Sequence, residues 1–227
     1  MNPAGVKERR IALAILIITQ VSMAAMFSYV TLGYAPGLKG EHGHPMIYLQ
    51  LTCFLWAVVM LVIPVLRLLR KVSLPLWFTV ILYADMYMYV ISLCIGMYKD
   101  DGIYWWANFT HVISTVVVAS VVFLALCKMA ERCPPHLSFG SKGGVIALMM
   151  LISAGFGAIW ELMEGLTDLI GGYSYMIYGA IDALGNMGAD AVGVLIMAAI
   201  ALIILRKHDA RYIGSKVRLG KNIDAGE

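Results

Sequence analysis

Residues 144–205 read GVIALMMLISAGFGAIWELMEGLTDLIGGYSYMIYGAIDALGNMGADAVGVLIMAAIALIIL, two long apolar stretches joined by an uncharged turn. Each stretch is long enough to cross a bilayer as a helix. Both nevertheless carry acid: Glu161, Glu164 and Asp168 in the first, Asp182 and Asp190 in the second, with Asn186 between the last two. An ionised carboxylate in hydrocarbon is costly, so such residues face a bundle interior, find a partner, and usually mark function.

The rest of the chain agrees with a membrane reading. Of 227 residues, 61% are hydrophobic and 14% are charged, well below the roughly quarter-charged composition of a soluble domain. We expect an all-α, polytopic membrane protein, with six transmembrane helices in one bundle. The spans fall at about 11–34, 46–69, 75–98, 104–127, 144–170 and 180–205. A cytoplasmic N-terminus (1–10) precedes them, and a polar, basic, mobile tail (206–227) follows. Ser22-Met23-Ala24 resembles a signal-peptide cleavage site. The surrounding apolar run is nevertheless long enough to span, and is read as a retained first helix.

Lysine and arginine set the orientation. Fifteen of the 17 fall at the N-terminus, around 67–71, around 128–142 and in the tail; only Lys39 and Lys99 lie in the intervening loops. The positive-inside rule therefore places both termini in the cytoplasm of an inner membrane. Trp105, Trp106, Tyr104, Tyr173, Tyr175 and Tyr178 are expected in an aromatic belt at the outer interface.

With that orientation Asp168, Glu164 and Glu161 lie progressively deeper below the outer surface, as do Asp182, Asn186 and Asp190, and Glu164 and Asn186 fall level with His111. Glu161, Glu164 and Asp168 are spaced i, i+3, i+7, one helical stripe. Asp182, Asn186 and Asp190 follow at i, i+4, i+8, with Gly185, Gly188 and Gly193 nearby to let backbones approach. His111 lies about 10 Å below the outer end of the fourth span, from the helical rise. These residues predict an outward-opening pocket lined also by Trp160 and Asn108, with Asp85 either as its floor or as a partner of Tyr83, Tyr87 or Tyr89. Like charges in a poorly hydrated site oppose each other's ionisation. Protons, a bound cation or a cationic substrate would compensate them. Oxygen donors with an imidazole suit a divalent metal. The expected ligands are His111, Glu161, Glu164 and Asp190, with Glu161, Glu164 and Asp190 also acting catalytically. The competing reading is a structural hydrogen-bond network. Intramembrane polar contacts average well under about 1 kcal/mol, a small return for so many carboxylates.

Other signals are weaker. Cys53, Cys94, Cys127 and Cys133 form no CxxC pair and read as free or buried thiols. Met86, Met88 and Met97 beside Asp85 raise copper, but methionine also fills apolar positions readily. Glu41, His42 and His44 in a glycine-rich loop read as a solvated segment.

The motif Trp160-Glu161-x-x-Glu164-x-x-x-Asp168, then Asp182-x-x-x-Asn186-x-x-x-Asp190-x-x-Gly193, with His111 upstream, resembles the YjdF-like bacterial inner-membrane proteins, a domain of unknown function. It is more distantly similar to the VanZ-like proteins. The likeness covers roughly 100–205 and implies a polytopic inner-membrane protein, with no established reaction. Two departures stand out: Ala107 where the family tends to place an Asp one turn before the His, and Asn186 where it often has Asp.

Three functions fit. A metal-dependent hydrolase or transferase would act on a lipid or lipid-linked substrate, the metal activating water or polarising a phosphoryl or carbonyl oxygen. A cation- or proton-coupled transporter would move a small polar solute. A non-catalytic accessory or assembly subunit would hold a lipid or a partner. The apolar inner half of the spans favours the first over a through-path. Membrane lipid is the expected partner. Neither a nucleic acid nor an organic cofactor is expected.

Overall fold

The computed structural model describes residues 3–38, 45–69, 72–74, 76–98, 105–132, 141–171 and 180–219. The HxH loop, Lys39, Lys99, Tyr104, Cys133 and the tyrosines at 173, 175 and 178 lie outside these residues. Six long helices account for nearly all of what is described: α1 (Pro3–Thr31), α2 (Met46–Leu68), α3 (Leu76–Ile95), α4 (Trp106–Arg132), α5 (Lys142–Gly171) and α6 (Ala180–Lys207). A short helix, α7 (Ala210–Lys216), follows. Two-residue strands, β1 (Val72–Ser73) and β2 (Arg218–Leu219), pair antiparallel. All six long helices contain a segment long and apolar enough to cross a membrane. Helices suit such a chain because each satisfies its own backbone hydrogen bonds where no water is present.

The expected spans are matched in number and order, and their ends differ for local reasons. The first helix starts at Pro3, a residue whose fixed φ suits a first turn. It stops at Thr31 because Gly33 turns into the left-handed region at φ 73°. Gly33 N–H donates to Val30 O at 2.9 Å and Tyr34 N–H to Tyr29 O at 3.1 Å. The third helix ends the same way, three residues short of the expected boundary, at Gly96 with φ 78°. There Met97 N–H reaches back to Ser92 O at 2.9 Å.

The contacts fall into two compact units, one of residues 1–104 with 218–227 and one of residues 105–217. In the first, Met23, Leu49, Cys53, Met60, Tyr83, Val90 and Cys94 fill a core between α1, α2 and α3. Tyr83 Oη donates to Met60 O at 2.5 Å. Gln20 Nε2 donates to Ala57 O at 3.1 Å. Arg67, 3% exposed, bonds the Leu74 carbonyl and Thr79 Oγ1. The arginine thereby ties the end of α2 to the start of α3.

The second unit holds α4 to α7. One half is apolar, packed by Ala119, Phe123, Leu126, Cys127, Met149, Met197, Ala201 and Leu205. Here the structure corrects the tail. The polar segment after 205 was expected to be mobile, but α6 continues to Lys207 and α7 packs on the end of α4. Ala210 and Gly214 are the reason, being buried small residues at i, i+4. A Cβ at Gly214 would run into the Cys127 carbonyl. Lys128, expected in the loop after the fourth span, lies inside α4. Its Nζ reaches Glu131 Oε2 at 2.5 Å and donates to Gly214 O at 3.3 Å.

Candidate functional site

The other half of the second unit is polar. On α5 the buried stripe begins as Val145 and Met149 and continues as Ser153, Glu161 and Glu164, at three-, four- and eight-residue steps. On α6, Asn186, Asp190 and Gly193 precede Met197 and Ala201 along one buried face. The α4 face carries His111 and Thr115 above Ala119 and Phe123. Gly193 lets α6 approach α4 closely: a Cβ there would lie 2.7 Å from Val112 O and 2.8 Å from Thr115 Cβ. That approach puts Asp190, one turn away, within reach of the α4 side chains.

His111 sits between two carboxylates. Its Nδ1 lies 3.2 Å from Asp190 Oδ1, and its Nε2 lies 3.6 Å from Glu161 Oε1. Thr115 Oγ1 donates to the same Asp190 oxygen at 2.6 Å. Glu164 Oε1 accepts the indole N–H of Trp160 at 2.8 Å. One ligand atom each from His111, Glu161 and Glu164 falls within 4.8 Å of the others, so this group could hold a metal ion.

The carboxylates are deeply buried. Glu161 is 6% exposed, Glu164 8% and Asp190 5%. Among the described residues, Asp190 Oδ2 and Ser153 Oγ are buried without a hydrogen-bond partner, whereas Glu161 has the Asn186 side chain and His111 Nε2 beside it. No lysine or arginine among those residues pairs with Glu161, Glu164 or Asp190. Removing a charge from water costs several kcal/mol even after relaxation, and unmade hydrogen bonds add to it. Among the described residues, His111 is the one cationisable side chain set among these acids. The donor set is one imidazole and two carboxylates, which suits a first-row divalent cation better than the softer copper(I).

The sequence-derived residues divide as follows. His111, Glu161, Glu164, Asp190 and Trp160 come together, and Asn186 is buried on the same face of α6 as Asp190. Asn108 lies beside Gly185, where a Cβ would be 3.5 Å from its Oδ1. Asp168 and Asp182 are only half-buried, nearer the helix ends. Asp85 is half-buried on α3, within the first unit. Two participants were not foreseen. Thr115 lies one turn beyond His111, at a spacing that could have pointed to it. Gly157 lies one turn before Glu161, and a Cβ there would collide with the Asp190 carboxylate.

Residues 12–207 match the model of a family described as "Predicted membrane protein (DUF2238)". Nothing among curated proteins and nothing among solved structures matches the chain. The family match spans most of the chain, which therefore belongs to this family of membrane proteins.

Proposed function

We propose that this DUF2238 family member binds a divalent cation through His111, Glu161 and Glu164, and that the bound ion serves chemistry on a lipid or lipid-linked substrate. The observation that carries the reading is the buried triangle of three donor groups, one imidazole and two carboxylates. A cation offsets the buried negative charge that these side chains would otherwise hold uncompensated. Three protein ligands are also the usual number in a catalytic zinc site, which keeps a further position open. Such an ion would activate water or polarise a phosphoryl or carbonyl oxygen.

The substrate class follows from the setting. The site occupies one half of its helices and an apolar core fills the other, which favours one-sided access over a path through the membrane. On the orientation read from the basic loops, with both termini cytoplasmic in an inner membrane, the accessible side is the outer one. The finer likeness to YjdF-like and VanZ-like proteins supports the setting and carries no reaction with it.

The test is metal content in purified, detergent-solubilised protein after reconstitution with zinc or manganese. The wild type should retain about one equivalent, as expected of one three-ligand site. Glu161→Gln and Glu164→Gln should each lose it. Wild-type protein without stoichiometric metal under both conditions would sink the proposal. Flux of cations into proteoliposomes that Asp190→Asn abolishes would favour a transporter instead.

A further inference from the structure

The structure assigns Asp190 a different role from the ligand expected of it: we infer that it is a positioning residue that fixes the ring of His111, so that Nε2 alone is presented to Glu161 and Glu164. This inference rests on the metal reading above. The geometry separates the two ring nitrogens. Nδ1 faces Asp190 Oδ1 at 3.2 Å, while Nε2 faces Glu161 Oε1 at 3.6 Å. Only His111, Glu161 and Glu164 form the compact donor group among the described residues. Asp190 Oδ1 is already engaged by the Thr115 hydroxyl at 2.6 Å. That bond uses the hydroxyl proton, so Asp190 acts there as the acceptor. An acceptor on Nδ1 selects the tautomer whose proton sits on Nδ1 and whose lone pair sits on Nε2. Histidine ligands commonly donate their second N–H to a carboxylate in this way, which fixes ring orientation and raises donor strength.

Three elements hold the arrangement. Gly193 brings α6 against α4 at Thr115. Thr115 anchors one oxygen of Asp190. Gly157 on α5 leaves room for the other, since a Cβ there would meet Asp190 Cγ at 3.0 Å and Cβ at 3.2 Å. Asp190 is therefore clamped between α4 and α5, with its reach to His111 set by backbone spacing.

The experiment uses full-length protein in detergent, with 15N-labelled histidine. The His111 signals are assigned by their loss in His111→Gln. In metal-free wild type, read at a pH high enough that the ring carries a single proton, the Nδ1–H tautomer should dominate. Asp190→Ala should abolish that bias and weaken zinc binding by about 10- to 100-fold, the range seen when such supporting partners are removed. Asp190→Asn can turn its amide N–H toward Nδ1, which must then accept, so it should also lose the Nδ1–H bias. Thr115→Val should weaken binding in the same direction by less. A purely structural role would track thermal stability and leave the tautomer unmoved.

An Nε2–H tautomer in wild type overturns the assignment, whether or not metal binds. So does an Asp190→Ala protein that folds, binds zinc as wild type does and keeps the tautomer. If wild type binds no zinc at all, the metal reading falls, and the tautomer of the metal-free protein still decides the role of Asp190.

Discussion

Gly157→Ala is a one-carbon change with a calculable consequence. The new Cβ would lie 3.0 Å from Asp190 Cγ, 3.2 Å from its Cβ, and closer still to Oδ2. Asp190 is short, and its other oxygen is held by Thr115 at 2.6 Å and faces His111 Nδ1 at 3.2 Å. It can yield only by breaking those contacts or by pushing α5 away. Overpacking of this kind costs about 1–3 kcal/mol, and a lost hydrogen bond to a charged group about 1.5–3 kcal/mol. Replacing a helical glycine by alanine returns about 0.5–1 kcal/mol. A net loss of about 1–3 kcal/mol is expected, roughly a 5- to 150-fold change in equilibrium constant at 1.4 kcal/mol per decade. Gly155→Ala is the internal control: it lies on the same helix, with nothing within 4 Å of its Cβ. Both variants are compared in detergent by thermal unfolding and by zinc titration. Equal stability and equal affinity in the two would refute the clamped-aspartate reasoning.

Other outcomes follow from the same geometry. Gly214→Ala drives a Cβ into the Cys127 carbonyl, so α7 should undock, read as faster limited proteolysis within 208–217 while the six long helices stay intact by circular dichroism. Lys128→Met removes the cation paired with Glu131 at 2.5 Å and the donor to Gly214 O. It should destabilise less than Glu131→Gln, which leaves the more buried lysine without its counter-charge; the reverse order in thermal unfolding would contradict this. A topology reporter fused after Tyr175 should read non-cytoplasmic, and a cytoplasmic signal would reverse the placement of the site.

The carboxylates were legible because acid in an apolar span is conspicuous and helical spacing groups it. Glu161, Glu164, Asp190 and His111 were all expected to line one pocket, and the structure brings them together. How they divide the work was not legible. Which nitrogen of His111 meets which acid depends on helix separation, and that separation is set by Gly193, which the sequence marked beside the acidic stripe, and by Gly157, which looks like any other glycine in an apolar segment. Thr115 was hidden for a related reason: span hydroxyls usually bond their own helix, as Ser120 does with Val116 O at 2.7 Å. The segment after 205 misled because basic residues announce solvent. Two small residues at i, i+4, Ala210 and Gly214, outweighed them by offering a flat face to α4. Helix number and order followed from hydropathy alone, while the end of α3 turned on the backbone conformation of Gly96.

The Trp160 indole, bonded to Glu164 Oε1 at 2.8 Å, gives the molecule an optical property. A fluorophore is tied to one of the acids on which cation binding would centre, through a bond that any redistribution of charge on that carboxylate must perturb. Five tryptophans contribute to the emission, so replacing Trp160 by phenylalanine isolates its share by difference. Paramagnetic ions such as manganese or cobalt should quench that share, whereas zinc should shift it without quenching. The protein thus carries a native spectroscopic gauge of its own interior, readable without label or substrate.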